Sequence, residues 1–316
     1  MERIALVLGV TGGIGGAVAR RLAERGWCVR ALVRPHSAHR VPQGVAAVIG
    51  DAMDGAAVAA AAEGATVIVH AVNPPGYRNW DTVVLPMLDN SIAAARVNRA
   101  QILLPGTVYN YGPDSFPLIT ETAPQHAVTR KGAIRVEMER RLRAAADAGD
   151  IRALIVRAGD FFGPGAANSW FAQGLITPGA RPRVIRNPAK RGAGHLWGYL
   201  PDVAETIVRL LEHDHVPAFA NYHMGGHWDG TGTAMVEAIA EALGAPKVRI
   251  APFPWWALRL AAPFAHMPRE LMEMRYLWQQ PVRLDNSRLI ALLGEEPHTP
   301  LPQAVRTTLA ALGCIP

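Results

Sequence analysis

The sequence predicts an α/β protein, a doubly wound parallel sheet with a smaller C-terminal lobe. Three observations carry that reading. From Arg3 to about Val156, short apolar runs alternate with amphipathic stretches, the rhythm of βαβ units. A glycine-rich turn, Gly9-Val10-Thr11-Gly12-Gly13-Ile14-Gly15, joins the first apolar run to the first amphipathic stretch. After Arg157 the texture changes, and 161–199 is crowded with Gly, Pro and aromatic residues with little period of either kind.

Taken in order, strands are expected at 4–8, 28–33, 45–49, 66–70, 101–104 and 152–156. Helical periodicity, filled by Ala, Leu, Arg and Glu, spans 13–24, 58–62, 83–97 and 134–146. Beyond the irregular stretch, 202–212 returns to a helical pattern, 219–223 reads as one more strand, 231–243 as a helix, and 269–278 as helix-like. The expected division is a first domain over 1–160, to which 200–223 returns, and a lobe made of 161–199 and 224–316.

A chain of 316 residues that is 50% hydrophobic can bury a full core. Its two cysteines, Cys28 and Cys314, fit neither a disulfide framework nor a metal-ligand spacing, so a reducing cytoplasm and no metal are expected. The opening stretch 1–9 lacks the pattern of a signal peptide, and no apolar run reaches the length of a bilayer crossing. A membrane partner is not expected. The net charge of +6 comes from scattered arginines without aromatic interleaving, so nucleic acid is not expected either.

The glycine turn is the strongest local feature. Glycines three residues apart let the backbone turn tightly and approach a diphosphate, whose charge then rests on helix-terminal amides. At the start of a βαβ unit this makes the sheet a Rossmann fold, with Gly9, Thr11, Gly12, Gly13, Ile14 and Gly15 as the cofactor-binding positions. Arg34 ends the second strand, where an NAD-binding protein places an acid on the ribose hydroxyls. A guanidinium suits a 2′-phosphate instead, with His36, His39 and Arg40 as further donors, so NADP is expected ahead of NAD. Asp51, after Gly50, either accepts from the adenine amino group or caps the following helix.

With these residues in view, the chain resembles the short-chain dehydrogenase/reductase superfamily, most closely its extended, epimerase/dehydratase-type branch, over nearly its whole length. Gly9, Gly12 and Gly15 match the branch's nucleotide motif, although Leu8 stands where a threonine or serine usually leads. Gly50-Asp51 matches the adenine contact, and Val69-His70-Ala71-Val72-Asn73 the fourth-strand segment beside the cofactor. Val108-Tyr109, the segment Arg157 to Pro164, and Pro201-Asp202-Val203-Ala204 match three later motifs in the right order. The resemblance implies an NAD(P)-dependent enzyme, places Ala52, Ala71, Val72 and Asn73 along the cofactor, and implies a homodimer paired through a helical bundle.

The departures bear on chemistry. In the family a tyrosine, followed four residues later by a lysine, moves the substrate proton while a serine or threonine orients the carbonyl. Here Lys131 takes the tyrosine's place and Arg135 the lysine's, and the hydroxyl position falls on Pro105 with Thr107 two residues away. Residues 131 and 135 share one helix face. Arg135 suits the ribose hydroxyls, and an ammonium at Lys131 can donate a proton to a carbonyl oxygen or stabilise an alkoxide. The alternative is that both are exposed charges among Arg130, Glu137 and Glu139. Tyr109 and Tyr111 are substitute acids or packed aromatics. On the substrate side, Trp170, Phe171, His195, Trp197, Tyr199, His227 and Trp228 are the candidate apolar lining, with the histidines read alternatively as structural. The run 253–260 either touches a membrane or partner or packs the lobe.

The expected function is NADP-dependent oxidation or reduction of a carbonyl or alcohol of a small molecule, with catalytic candidates Lys131, Arg135, Thr107 and Tyr109. The alternatives are a sugar-nucleotide-type epimerase or dehydratase with a retained cofactor, and a catalytically silent NAD(P)-binding sensor or scaffold.

Overall fold

The computed structural model describes residues 3–316 except 75, 77–78 and 245–247; Met1 and Glu2 of the opening stretch lie outside the described residues. In chain order it begins with β1 (Ile4–Leu8), α1 (Gly13–Glu24), β2 (Cys28–Val33), β3 (Ala46–Ile49), α2 (Gly55–Ala61), β4 (Val67–His70), α3 (Trp80–Asn98) and β5 (Gln101–Gly106). Next come β6 (Leu118–Ile119), α4 (Arg130–Asp147), β7 (Arg152–Arg157), β8 (Asp160–Phe162), β9 (Val184–Asn187), β10 (His195–Tyr199), α5 (Leu200–Leu211) and β11 (Phe219–His223). The last third holds β12 (His227–Asp229), α6 (Ala234–Ala242), β13 (Arg249–Pro252), α7 (Trp255–Ala261), α8 (His266–Glu273), β14 (Arg283–Leu284), α9 (Ser287–Leu293) and α10 (Leu301–Ala311).

The chain divides into two compact units. The first comprises Met1–Asn110, Arg130–Arg157 and Val203–Tyr222. Its sheet has the order β11-β7-β5-β4-β1-β2-β3, and the pairs from β7 to β3 are parallel. Strands such as Val67–His70 are buried along their whole length, as a sheet covered on both faces requires. On one face, Leu6, Leu8, Ile68, Ile102 and Ile155 pack against Val58 of α2, Leu88 of α3 and Leu142 of α4. Strand order reverses beside β1: β2 and β3 are laid to one side, β4, β5 and β7 to the other. The crevice at such a switch point, beyond the strands' carboxyl ends, is where open α/β sheets take ligands. It is bounded here by the loops after β1 and β4.

The second unit comprises Tyr111–Thr129, Ala158–Asp202 and His223–Pro316. The segment Tyr111–Thr129, counted above with the first domain, clusters here because it carries β6, which pairs with β14. A three-stranded sheet, β12-β10-β8, and a β13-β9 pair surround an aromatic core of Phe162, Trp170, Phe171, Trp197, Tyr199 and Trp278. These strands are two to five residues long and lie in glycine-rich surroundings, too short to show a period of two.

Two differences from the expected elements matter for the site. β5 runs on through Pro105 to Gly106, because pairing to β7 continues to Arg157 while pairing to β4 ends at Leu103. On that side Pro105 sits at an edge, where a missing N–H breaks no ladder bond. Helix α4 begins at Arg130 rather than 134, so Lys131 and Arg135 both lie within it. Among the described residues no helix is long and apolar enough to cross a membrane, and no cluster of His, Cys, Asp or Glu could hold a metal ion.

Candidate functional site

The loop after β1 is closed by two glycines and opened by a third. Gly9 adopts φ +89°, and a Cβ there would lie 2.4 Å from the carbonyl oxygen of Ala71. A Cβ at Gly15 would lie 2.3 Å from the Gly9 carbonyl oxygen. Both positions press the loop onto the segment following β4, where the Ala71 N–H donates to the Leu8 carbonyl at 3.0 Å. Gly12 differs: a Cβ there would meet only the Gly9 oxygen, at 3.3 Å, and otherwise enter open space. Gly12 also caps α1 without a side-chain hydrogen bond, and the first turn carries no acidic residue. The helix dipole and the terminal amides of Gly13, Ile14 and Gly15 therefore favour an anion beside Gly12. The cradle fits a diphosphate, because its open space is the one a side chain would fill.

Arg34 directly follows β2, and exposed His36 and His39 lie in the 3₁₀ turn Pro35–Arg40. Arg40 donates from Nη2 to the Thr11 carbonyl at 3.0 Å, which holds its guanidinium against the loop. Asp51 is exposed and accepts from the Met53 N–H at 2.9 Å. The cap of α2 is Asp54, which accepts from Ala56 and Ala57, so the capping alternative for Asp51 is replaced. The Ala52 carbonyl accepts from Asn90 Nδ2 at 2.9 Å. Ala71 and Val72 are half-buried and Asn73 is exposed.

Helix α4 brings three charges onto one face at spacings of four: Lys131, Arg135 and Glu139. Lys131 is 2% exposed, which excludes the reading of it as a solvated helix charge. Arg135 is half-buried, its Cζ 5.4 Å from the Trp80 ring centroid, a cation–π contact at the start of α3. Glu139 accepts from both sides. Arg157, fully buried, donates from Nη2 to Oε1 and Oε2 at 2.8 Å each, and Asn110 donates from Nδ2 to Oε1 at 2.9 Å. Arg157 Nη1 also donates to the Thr107 carbonyl, and the Thr107 hydroxyl donates to Asn110 Oδ1 at 3.2 Å. The turn Val108–Asn110, with half-buried Tyr109, is thereby fixed against α4.

Breaking that network has a predictable cost. Glu139→Ala leaves the Arg157 charge enclosed without its carboxylate, and a loss of about 3–5 kcal/mol is expected in chemical denaturation. The double change Glu139→Leu with Arg157→Met recovers most of it.

His70, at the end of β4, is buried; its Nδ1 is 2.8 Å from Ser91 Oγ, and its Nε2 has no hydrogen-bond partner among the described residues. Burial, and secondarily the Arg135 charge, lower its pKa from 6.5 to about 3. The folded protein thus keeps this imidazole neutral where the unfolded chain protonates it. Stability from this group is complete above pH 6.5 and is lost progressively as pH falls toward 3. His70→Asn should flatten that acid limb in denaturation measured across the range.

The match to a family model, that of the NAD dependent epimerase/dehydratase family, extends over residues 5–225, more than two thirds of the chain. The chain belongs to this epimerase/dehydratase family. Among curated proteins no sequence matches significantly. Solved structures of similar fold include the Bordetella bronchiseptica enzyme WbmH in complex with NAD+, 18% identical with TM-score 0.73, covering 98% of each chain. The UDP-glucose 4-epimerase from Bifidobacterium longum in complex with NAD+ and UDP is 17% identical with TM-score 0.73, covering 98% of this chain and 97% of that one. The Thermus thermophilus UDP-glucose 4-epimerase in complex with NAD is 20% identical with TM-score 0.72, covering 98% of each. At these identities the likeness is one of fold.

Within this epimerase/dehydratase family member, the second unit treats the remaining candidates as follows. Trp170, Phe171, Trp197 and Tyr199 are buried together in its core. His195 stacks on Trp278 with centroids 3.7 Å apart, and its Nε2 lies 2.8 Å from Asp160 Oδ2. His227 packs against His298, and burial holds its pKa down to about 4. Both histidines are packed residues of the lobe. Tyr111 is fully buried, edge-on to His223, with its carbonyl accepting from Tyr276. The Glu139–Arg157–Asn110 network was not singled out from sequence; the cue available was the spacing of four that links Glu139 to Lys131 and Arg135.

Proposed function

We propose that this family member binds NADP in preference to NAD and moves hydride to or from the carbonyl or alcohol carbon of a small molecule, with Lys131 handling the proton. The observation that carries the reading is the enclosure of Lys131 on the α4 face, beside the fixed Thr107–Asn110 turn. Lysines are seldom enclosed, so an enclosed one on a helix face asks for a role beyond solvation. This one also occupies the position where the family resemblance puts the proton-transferring tyrosine.

Gly9, Thr11, Gly12, Gly13, Ile14 and Gly15 would hold the diphosphate, Ala71, Val72 and Asn73 the adjoining segment, Asp51 and Ala52 the adenine side, and Arg135 the nicotinamide ribose. When bound, the nicotinamide supplies or accepts hydride at a substrate carbon. In reduction, Lys131 passes a proton from Nζ to the oxygen that becomes the alcohol and regains one from solvent. In oxidation, the neutral amine takes the alcohol proton. Thr107 and Tyr109 are the neighbouring hydroxyls able to orient that oxygen. The test is Lys131→Met, which should remove turnover while leaving coenzyme affinity unchanged.

The preference for NADP rests on Arg34, exposed where an acid would serve NAD, and on Arg40 tethered to the phosphate loop. Arg34→Ala is expected to weaken NADP about tenfold or more while changing NAD little, since hydrogen bonds to charged groups are worth about 1.5–3 kcal/mol. Equal losses in a fluorescence titration would remove the argument. The second reading, an epimerase or dehydratase that oxidises and re-reduces its substrate on a retained coenzyme, is favoured by the UDP-glucose 4-epimerase neighbours. It produces no net change in nicotinamide absorbance during turnover, which separates the two.

A further inference from the structure

The α7–α8 hairpin carries an apolar strip that the core of its own unit leaves uncovered. The run that leads into it begins inward: Phe253 and Trp255 lie 5.7 and 5.8 Å from Trp170 by ring centroids, and Trp255 Nε1 donates to the Pro188 carbonyl at 2.9 Å. The next positions turn outward. Trp256, Leu260 and Phe264 are 72%, 68% and 90% exposed, with Met267 alongside at 38%. A spacing of four puts Trp256 and Leu260 on one face of α7, and Phe264 projects from the turn before α8.

Among the described residues, the exposed arginine and carboxylate side chains of the hairpin are of one sign. Arg259 and Arg269 are exposed on the hairpin, and Arg249 is exposed on β13. Of the hairpin's acids, Glu270 is buried beside His266 and Glu273 is half-buried. A large aromatic and aliphatic ridge rimmed by arginine is the composition of a surface that enters the headgroup region of a membrane.

We propose that the α7–α8 hairpin docks on the interface of an anionic phospholipid bilayer, with Trp256, Leu260 and Phe264 inserted at the headgroup boundary and Arg259 and Arg269 on lipid phosphates. This revises the expectation of no membrane partner, and it stands independently of the coenzyme chemistry. A second copy of the chain is the weaker occupant. The strip is one row of side chains on a short helix and its turn, small beside the roughly 800 Å² per partner of a stable interface. A two-fold contact would also set the same arginines of both copies against each other.

The test is co-sedimentation of the full chain with vesicles of phosphatidylglycerol and phosphatidylcholine, against phosphatidylcholine alone. Partition onto the anionic vesicles only is expected, reversed by salt. Trp256→Ser, Leu260→Ser and Phe264→Ser together should lower it at least about tenfold, and Arg259→Gln with Arg269→Gln by a similar factor. Should the triple variant melt below the wild type, Phe264→Ser alone, at the most exposed position, carries the comparison. Absence of binding to anionic vesicles, or partition indifferent to the apolar substitutions, overturns the proposal. So does a concentration-dependent dimer in sedimentation that the triple variant abolishes, which would assign the strip to a second copy.

Discussion

Gly12→Leu is expected to lower affinity for both NADP and NAD at least about a hundredfold, close to 3 kcal/mol, without unfolding the chain. Space decides both halves of this result. At Gly12 an added Cβ approaches only one atom, the Gly9 oxygen at 3.3 Å, so the folded chain tolerates a side chain there. The remainder of that side chain then fills the space in front of the α1 amides, where the diphosphate is expected. Gly9→Ala should behave in the opposite way. Its Cβ would sit 2.4 Å from the Ala71 carbonyl oxygen in a left-handed conformation that disfavours alanine, so a drop in melting temperature precedes any change in affinity. Calorimetric titration together with thermal unfolding separates the two kinds of glycine. Normal coenzyme binding by Gly12→Leu would mean that the nucleotide lies elsewhere.

Lys131→Met carries the second large effect, a fall of about 10²–10⁴-fold in turnover, the usual contribution of a positioned proton donor. Methionine keeps an unbranched chain of similar length in the enclosed position and removes the amine with the bonds it makes, so coenzyme affinity should stay near wild type, and melting temperature reports separately what those bonds contribute to the fold. Lys131→Arg keeps a cation but not a transferable proton at neutral pH, so it distinguishes proton transfer from charge stabilisation. Activity retained by arginine assigns Lys131 to holding the developing alkoxide. Activity lost in both variants assigns it to proton transfer. Full activity in the methionine variant moves the chemistry to Tyr109 or Thr107.

The sheet was legible because short, mostly apolar runs alternate with amphipathic stretches: Ile4–Leu8, Cys28–Val33 and Phe219–His223 agree with their expected bounds. The phosphate loop was legible because it is local, with all its glycines within seven residues of one turn. What escaped depends on distance. Glu139 looks like an ordinary helix acid until folding brings Arg157 and Asn110 to it across 18 and 29 residues of chain. The aromatic residues of 161–199 were read as a pocket lining because their composition suits one. Residue type does not reveal which aromatic rings cluster together, and here Trp170, Phe171 and Trp197 lie in one buried cluster. In the same way Phe253 and Trp255 pack inward while Trp256, one step on at the start of α7, does not.

The most direct measurement is deuterium transfer. The purified protein would be incubated with NADPH deuterated at the transferable position of the nicotinamide and a panel of carbonyl compounds, and the products read by mass spectrometry. Deuterium bonded to carbon in an alcohol product is expected with the wild type and is expected to disappear with Lys131→Met, although both bind the coenzyme. Tight coenzyme binding by the wild type with no deuterium delivered to any carbonyl, from NADPH or from NADH, would contradict the account.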